Sequence, residues 1–403
     1  MIARIIPAAT LALGLASAAR AQEPIVFGEI NAFETREAVA GPYRQGMTLA
    51  LEEIEEDDGI DGRPLEALFR AAADPAEARR QAGLLREEGA RLVTGGLDEE
   101  IARVLSDWAG ASGTVYLATL PGSDALVWSD HEPHVFRLGP SHWMHAAMLA
   151  EAAAEEGATR FLAIVADDAD GLAAAAAFEQ RLVRADPEAS VVGTIALDAE
   201  APDLAAAAEE RARFEAEAAF VALEPETLAR LAAAPEGRAL LDGLQVYAPR
   251  AGDPETLSLF GETAPTGWVV TGYPWYAIDD YHGEAFVEAY EDRWDEAPTT
   301  GALIGYTAVQ AVEAALERAE AKGGEAADAL RTAFEGLVVR TPVGPITFRE
   351  LDHQATMGAW VGRLAEEDGE IRMTDTVYRD GKDHLPSDEE TLGRVTGKTP
   401  TTE

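Results

Sequence analysis

The chain of 403 residues contains no cysteine. That absence excludes a disulfide framework, a thiolate metal site, a cysteine nucleophile and a lipid-acceptor cysteine behind a leader. Lysine is almost missing too, with Lys322, Lys382 and Lys398 as its three occurrences. Against 73 acidic residues stand 32 basic ones, a formal net charge of −41. Such a surface excludes DNA, RNA and anionic lipid as partners, because each requires a basic patch to displace counterions. High external salt and a GC-rich genome both account for the acidic bias. No Gly-x-Ser-x-Gly elbow, phosphate-cradling loop, dinucleotide fingerprint or His-Glu-x-x-His occurs, so neither a cofactor nor a metal is expected. Beyond the N-terminus no apolar run approaches the roughly 20 residues of a membrane-spanning helix.

What is present begins with a leader pattern. Arg4 precedes the short apolar run Ile5 to Ala16, and Ala19-Arg20-Ala21 forms a small-residue cleavage signal before Gln22. Cleavage after Ala21 and a soluble, periplasmic mature protein that does not insert into a membrane are predicted.

A chain this long exceeds what one hydrophobic core supports, so two lobes are expected. From Ile25 onward β-rich runs alternate with helical patterns, the mark of βαβ units, which places the fold in the α/β class with mainly parallel, doubly wound sheets. Val26 to Ile30 reads as the first strand, followed by a helix from Pro42 with Met47, Ala50, Leu51 and Ile54 at helical spacing. Asp74-Pro75-Ala76-Glu77 reads as a capping box opening the next helix. Two long helices, about Tyr281 to Arg293 and Thr300 to Ala321, follow one another with no strand between them.

Two loops superficially suggest cation binding. The acidic stretch Glu55 to Gly62 lacks the closing Glu of a calcium loop and reads as a helix-to-strand turn. Ser129 to His134 gathers two imidazoles and two carboxylates at no regular spacing, and Asp279 to His282 reads as a helix N-cap.

The order of several segments carries a resemblance. They are Gly41-Pro42-Tyr43-Arg44-Gln45-Gly46, Gly59-Ile60-Asp61-Gly62-Arg63-Pro64-Leu65, Val135-Phe136-Arg137-Leu138, Ala285-Phe286 with Tyr290, and Gly344-Pro345-Ile346-Thr347-Phe348. In these the chain resembles the leucine/isoleucine/valine-binding protein family, the type I solute receptors of ATP-binding cassette importers. The resemblance implies two lobes joined by three crossings, with 23–138 plus 273–341 forming lobe 1, 139–272 plus 342–385 forming lobe 2, and 386–403 a tail. It implies a monomer that captures a small-molecule solute between the lobes and hands it to a membrane permease, and no enzymatic activity.

Carried over position by position, the resemblance places Asp98 and Glu99 in the loop after the third strand, where relatives that bind amino acids show small hydroxyl residues. Gly122 and Ser123 fall in the loop that offers amides and a hydroxyl to a ligand carboxylate. Asp170 falls where an aromatic lid is common. Glu224 and Arg250 end two strands of lobe 2, and an arginine there favours an anionic group. Phe33, Trp143, Tyr273 and Trp275 are the candidate apolar or stacking walls. Plainer roles are open for several: Asp98 as a helix cap, Asp170 as a solvated turn, Trp143 as core, Arg250 as a partner of Asp253. The expected solute is an amino acid, an amide or another carboxylate-bearing compound. A ligand-sensing receptor with a separate membrane partner is the second reading, and a hydrolase ranks last because no nucleophile, base and orienting group can be assembled.

Overall fold

The computed structural model describes residues 23–34, 36–321 and 327–397. The expected leader and its cleavage point at Ala21 lie outside the described residues. Among those described, no helix is long and apolar enough to cross a membrane.

Lobe 1 is built on β1 (Ile25–Asn31), β2 (Leu65–Ala71), β3 (Leu92–Gly95), β4 (Val115–Ala118) and β5 (Val135–Arg137). They run parallel in the order β2-β1-β3-β4-β5. Every residue of β3, β4 and β5 is buried, as a sheet covered on both faces requires. Helices Pro75–Glu87 and Glu99–Ser112 cover one face through Ala78, Ala82, Leu85, Ile101 and Leu105. Helices Glu37–Glu56 and Thr300–Ala321 cover the other, bringing Tyr43, Met47, Ile304 and Val309 onto Phe27, Val115 and Leu117.

Lobe 2 holds β6 (Arg160–Ala166), β7 (Ser190–Leu197), β8 (Ala218–Ala222), β9 (Gln245–Gly252) and β10 (Val269–Gly272). A hairpin of β11 (Val338–Thr341) and β12 (Gly344–Thr347) precedes its last two strands, β13 (Ala359–Glu367) and β14 (Glu370–Arg379). The sheet order is β14-β13-β10-β9-β8-β6-β7, parallel from β10 to β7, with β13 antiparallel to both β10 and β14. The α/β architecture with two doubly wound, mostly parallel lobes is therefore the one read from the sequence.

Several details differ from that reading. The first helix begins at Glu37, not Pro42, and carries Pro42 inside it. The buried stripe Ala40, Tyr43, Met47, Ala50 and Ile54 runs straight through the proline, so packing overrides the local breaker. Asp74 caps its helix by accepting from the Glu77 amide at 2.8 Å, but the Glu77 carboxylate turns to Arg80 and Gln81 instead of completing a capping box. The division at Thr341 falls inside the β11–β12 hairpin, and Phe348 beyond it packs on Phe136 and Phe334 of lobe 1. Residues 388–396 of the expected tail form a helix with a full capping box at Ser387 and Glu390, and Arg394 of that helix lies over the rings of Trp128 and Trp143. In the loop from Ser129 to His134 the imidazoles diverge, His131 onto the His353 ring and His134 toward Asp328. The acidic turn holds Gly59 and Gly62 at positive φ, as its glycines require.

Two features of lobe 1 fix the geometry beneath the cleft. The first is the crossing of helices Glu37–Glu56 and Thr300–Ala321, which meet backbone to backbone. A Cβ on Gly305 would lie 2.0 Å from the Tyr43 carbonyl oxygen, and one on Gly46 2.0 Å from that of Ala302. Gly305→Val is expected to lower unfolding stability by about 2–3 kcal/mol in denaturant titrations, because the helices must separate.

The second is Glu29, without solvent exposure near the end of β1. Its carboxyl accepts from Asn31 Nδ2 at 2.5 Å, Tyr43 Oη at 3.1 Å and Thr94 Oγ1. Asn31 Oδ1 in turn accepts from the Leu97 amide at 2.7 Å, which ties down the loop after β3. Burial pushes the Glu29 carboxyl from 4.5 to about 7. The folded state therefore holds this proton more tightly than the unfolded chain does, and stability is lost as pH rises from about 4.5 to 7. Glu29→Gln is expected to remove up to about 3 kcal/mol of that decline, read as the difference between variant and wild-type unfolding curves across this window.

Candidate functional site: the cleft between the lobes

The cleft is lined by loops that leave the carboxyl ends of parallel strands, where an open α/β sheet presents its backbone to ligand. The loop after β4 is held from behind by Arg137, a guanidinium with no solvent exposure. Arg137 Nη1 donates to the carbonyls of Gly122, at 3.2 Å, and Ser123, and its Nε donates to Gln354 Oε1. With their neighbouring carbonyls anchored, the amides of Gly122 and Ser123 both donate to Glu99 Oε1, at 2.6 and 3.0 Å. His142 Nε2 stands 4.0 Å from the same oxygen. A Cβ at Gly122 would fall 2.2 Å from the His142 ring, so only glycine fits there. Burial raises the pKa of Glu99, opposed chiefly by the nearby His142.

Around this corner the lobes touch directly. Ser123 Oγ donates to Asp170 Oδ1 across the cleft at 2.6 Å, and Arg103 of lobe 1 approaches Asp170 Oδ2 at 3.8 Å. A second contact lies at the N-terminus of helix Thr300–Ala321. Thr300 Oγ1 donates to Asp253 at 2.9 Å and the Gly301 amide to Glu255 at 2.7 Å, so two lobe 2 carboxylates sit at the positive end of a lobe 1 helix. The lobes are closed on one another.

Between these contacts lies a cavity of about 40 Å³, room for a few water molecules. Leu120, Pro140, Leu303, Ile304, Met357 and Trp360 supply apolar walls, and Gly122, His142, His145, Arg250, Asp253 and Tyr273 its polar lining. Arg250 sits at the unusual φ of +56°, a conformation that costs of order 1 kcal/mol and persists where surrounding structure enforces it. Its amide donates to Thr271 Oγ1 at 2.8 Å, and its Nε to Asp253 Oδ2 at 3.2 Å. Both Nη groups are left without an acceptor among the described residues. Burial pushes Asp253 up to about 6, with the Arg250 charge as the main opposing influence.

His145 Nδ1 lies 2.9 Å from Thr271 Oγ1. That hydroxyl also accepts from the Arg250 amide, so it ties the His145 ring to the backbone at Arg250. Burial, then the charges of Arg250, His142 and Arg137, lower the His145 pKa to about 3 and keep it neutral at ordinary pH. The Tyr273 hydroxyl is buried and has no hydrogen-bond partner among the described residues.

Of the residues picked out from the sequence, Gly122, Arg250 and Tyr273 line the cavity. Glu99, Ser123 and Asp170 meet at the adjoining closed corner. Glu224 is exposed at the start of helix Pro225–Ala233, where its charge acts on Arg250. Asp98 caps helix Glu99–Ser112 and pairs with Arg36 at 3.5 Å, outside the cavity. Phe33 packs edge-on against Phe69, and Trp275 against Tyr276, both also outside it. Trp143 belongs to the core of lobe 2, edge-on to Trp128. Its helix presents instead His142 and His145, three residues apart and therefore on one face, to the cavity. That three-residue spacing is the sequence signal for His145, next to the bulkier Trp143. Asp253 enters the sequence reading only as the partner of Arg250, and Met357, just before β13, and Trp360, at its start, carry no signal in the sequence.

No curated protein matches the sequence. Solved structures share the fold. An ABC transporter substrate-binding protein from Sphaerobacter thermophilus is 23% identical with a TM-score of 0.78, over 88% of this chain and 98% of that one. A leucine-, isoleucine-, valine-, threonine- and alanine-binding protein from Brucella ovis in a closed conformation is 18% identical at 0.78, over 92% and 98%. A solute-binding protein of an ABC transporter from Rhodopseudomonas palustris, in complex with 3,4-dihydroxybenzoic acid, is 19% identical at 0.74, over 89% and 98%. The periplasmic binding protein family matches residues 33–370, most of the chain and both lobes, and the chain belongs to that family.

Proposed function

We propose that the protein is the extracytoplasmic receptor of an ATP-binding cassette importer, and that it captures a small carboxylate with an apolar, preferably aromatic, body in the inter-lobe cavity. One observation carries the solute class: among the described residues the Arg250 Nη groups and the Tyr273 hydroxyl are donors without acceptors, in a cavity whose remaining walls are largely apolar. Convergent donors in an apolar recess suit one anionic group on a hydrophobic frame. The dihydroxybenzoate bound by the Rhodopseudomonas structure has this chemistry, which supports the reading. Trp360 and Tyr273, whose ring centroids are 5.6 Å apart, offer aromatic surface to such a ring. At about 40 Å³ the cavity holds no molecule of that size as it stands, so the lobes part to admit solute and close around it.

Thermal-shift and calorimetric titrations with benzoate, 4-hydroxybenzoate, 3,4-dihydroxybenzoate, benzamide, leucine and alanine test this. The aromatic acids are expected to raise the melting temperature and benzamide to leave it unchanged. Arg250→Ala is expected to weaken the best acid about 10- to 100-fold, the loss of a charge-assisted contact. Stabilisation by leucine or alanine alone, or an unaltered affinity in Arg250→Ala, removes the proposed solute class. Tyr273→Phe is expected to leave the unliganded melting temperature level or slightly higher, because it deletes an unsatisfied hydroxyl, while weakening the acid about 5- to 10-fold.

A further inference from the structure

The corner beside the cavity is built like an anion seat. The Gly122 and Ser123 amides converge on one point, the imidazole of His142 stands next to it, and Arg137 anchors the Gly122 and Ser123 carbonyls from behind. Two aligned amides and a nearby imidazole are a common means of holding a carboxylate. Here the occupant is the protein's own: Glu99 Oε1 takes both amide hydrogens. The helix carrying Glu99 starts at that residue, immediately after its cap Asp98, so the side chain enters the seat from a rigid first turn.

We propose that Glu99 is a built-in anion that occupies the backbone anion seat of lobe 1, bars solute carboxylates from it, and so leaves the Arg250 side of the cavity as the place where a solute's charge is read. The opposite wall of the same corner is closed by the Ser123–Asp170 hydrogen bond and by Arg103 near Asp170. An outside carboxylate in the seat would have to expel Glu99 into a corner that already contains the Asp170 carboxylate, and like charges at that range repel. The consequence for specificity is selection against solutes that need two anchored groups, one at each end of the cleft. That consequence rests on the receptor reading above, whereas the occupancy of the seat does not.

Acetate, a carboxylate with almost no body, is the probe. At constant ionic strength maintained with chloride, wild-type protein is expected to show no saturable response to acetate. Glu99→Ala empties the seat and is expected to gain one, seen as a rise in melting temperature of about 2 °C and as movement of the Gly122 and Ser123 amide resonances. Glu99→Gln keeps an oxygen in the seat and is expected to gain neither. Equal acetate binding in wild type and Glu99→Ala, or a folded Glu99→Ala protein that ignores acetate, overturns the proposal. Should Glu99→Ala fail to fold by itself, folding restored by acetate and not by chloride supports the assignment, and failure in both overturns it. None of these readouts uses the solute of the cavity. A wrong solute class shows as failure of the Arg250 experiments with the acetate result intact, and a wrong role for Glu99 as the reverse.

Discussion

The cleft depends on a single buried cation. Removing a guanidinium from water costs several kcal/mol unless acceptors surround it, and Arg137 meets that cost with the Gln354 side chain, the Gly122 and Ser123 carbonyls and the Asp124 carboxylate 3.5 Å away. These acceptors come from the third crossing and from the loop after β4, while Arg137 itself stands at the first crossing. Backbone bonds from the Arg137 amide to His353 and from the Ala355 amide to the Arg137 carbonyl stitch the first and third crossings together. One side chain therefore ties the first and third crossings and the loop after β4 into one register.

The same economy of cations shapes the cavity. A protein of net charge −41 repels anions at long range, yet counterions at physiological salt confine that field to roughly 8 Å. The field inside the cavity is therefore local, and locally Arg250 is balanced by Asp253 and Glu224. The pair leaves the donors of Arg250 directional and its net charge small, so recognition of the proposed solute would rely on hydrogen-bond geometry more than on bulk attraction.

Much of this was legible in the sequence because the signals were local. Alternation of β-rich and helical patterns placed strands and helices within a few residues, and the Asp74, Asp280 and Asp98 caps lie where short polar residues precede helical runs. The failures share a cause: they turn on which neighbour a residue meets across the fold. Pro42 reads as a helix start until the buried stripe through it is seen. Trp143 reads as a stacking wall because it is large and aromatic, although the face of its helix toward the cleft carries His142 and His145. Glu99 and Asp98 are adjacent acids indistinguishable by pattern, and one caps its own helix while the other reaches across to the next loop. The hairpin that spans the Thr341 division pairs residues a few positions apart, but its allegiance to lobe 1 comes from Phe348 meeting Phe136, more than two hundred positions away.

The three crossings also impose an order on how the molecule can be made. Neither lobe is a continuous piece of chain: the sheet β1 to β5 is complete by Arg137, but the helix Thr300–Ala321 that covers one of its faces is synthesised long afterwards. A chain emerging from its N-terminus therefore presents Val115, Leu117 and Phe136 on a sheet face covered only by helix Glu37–Glu56 while all of β6 to β10 is still being added. The glycine contact between helices Glu37–Glu56 and Thr300–Ala321 is then a late event that closes the first lobe only after most of the second exists. Until it forms, that apolar face is exposed to premature association, a burden that falls on whatever accompanies the nascent chain and not on the finished receptor.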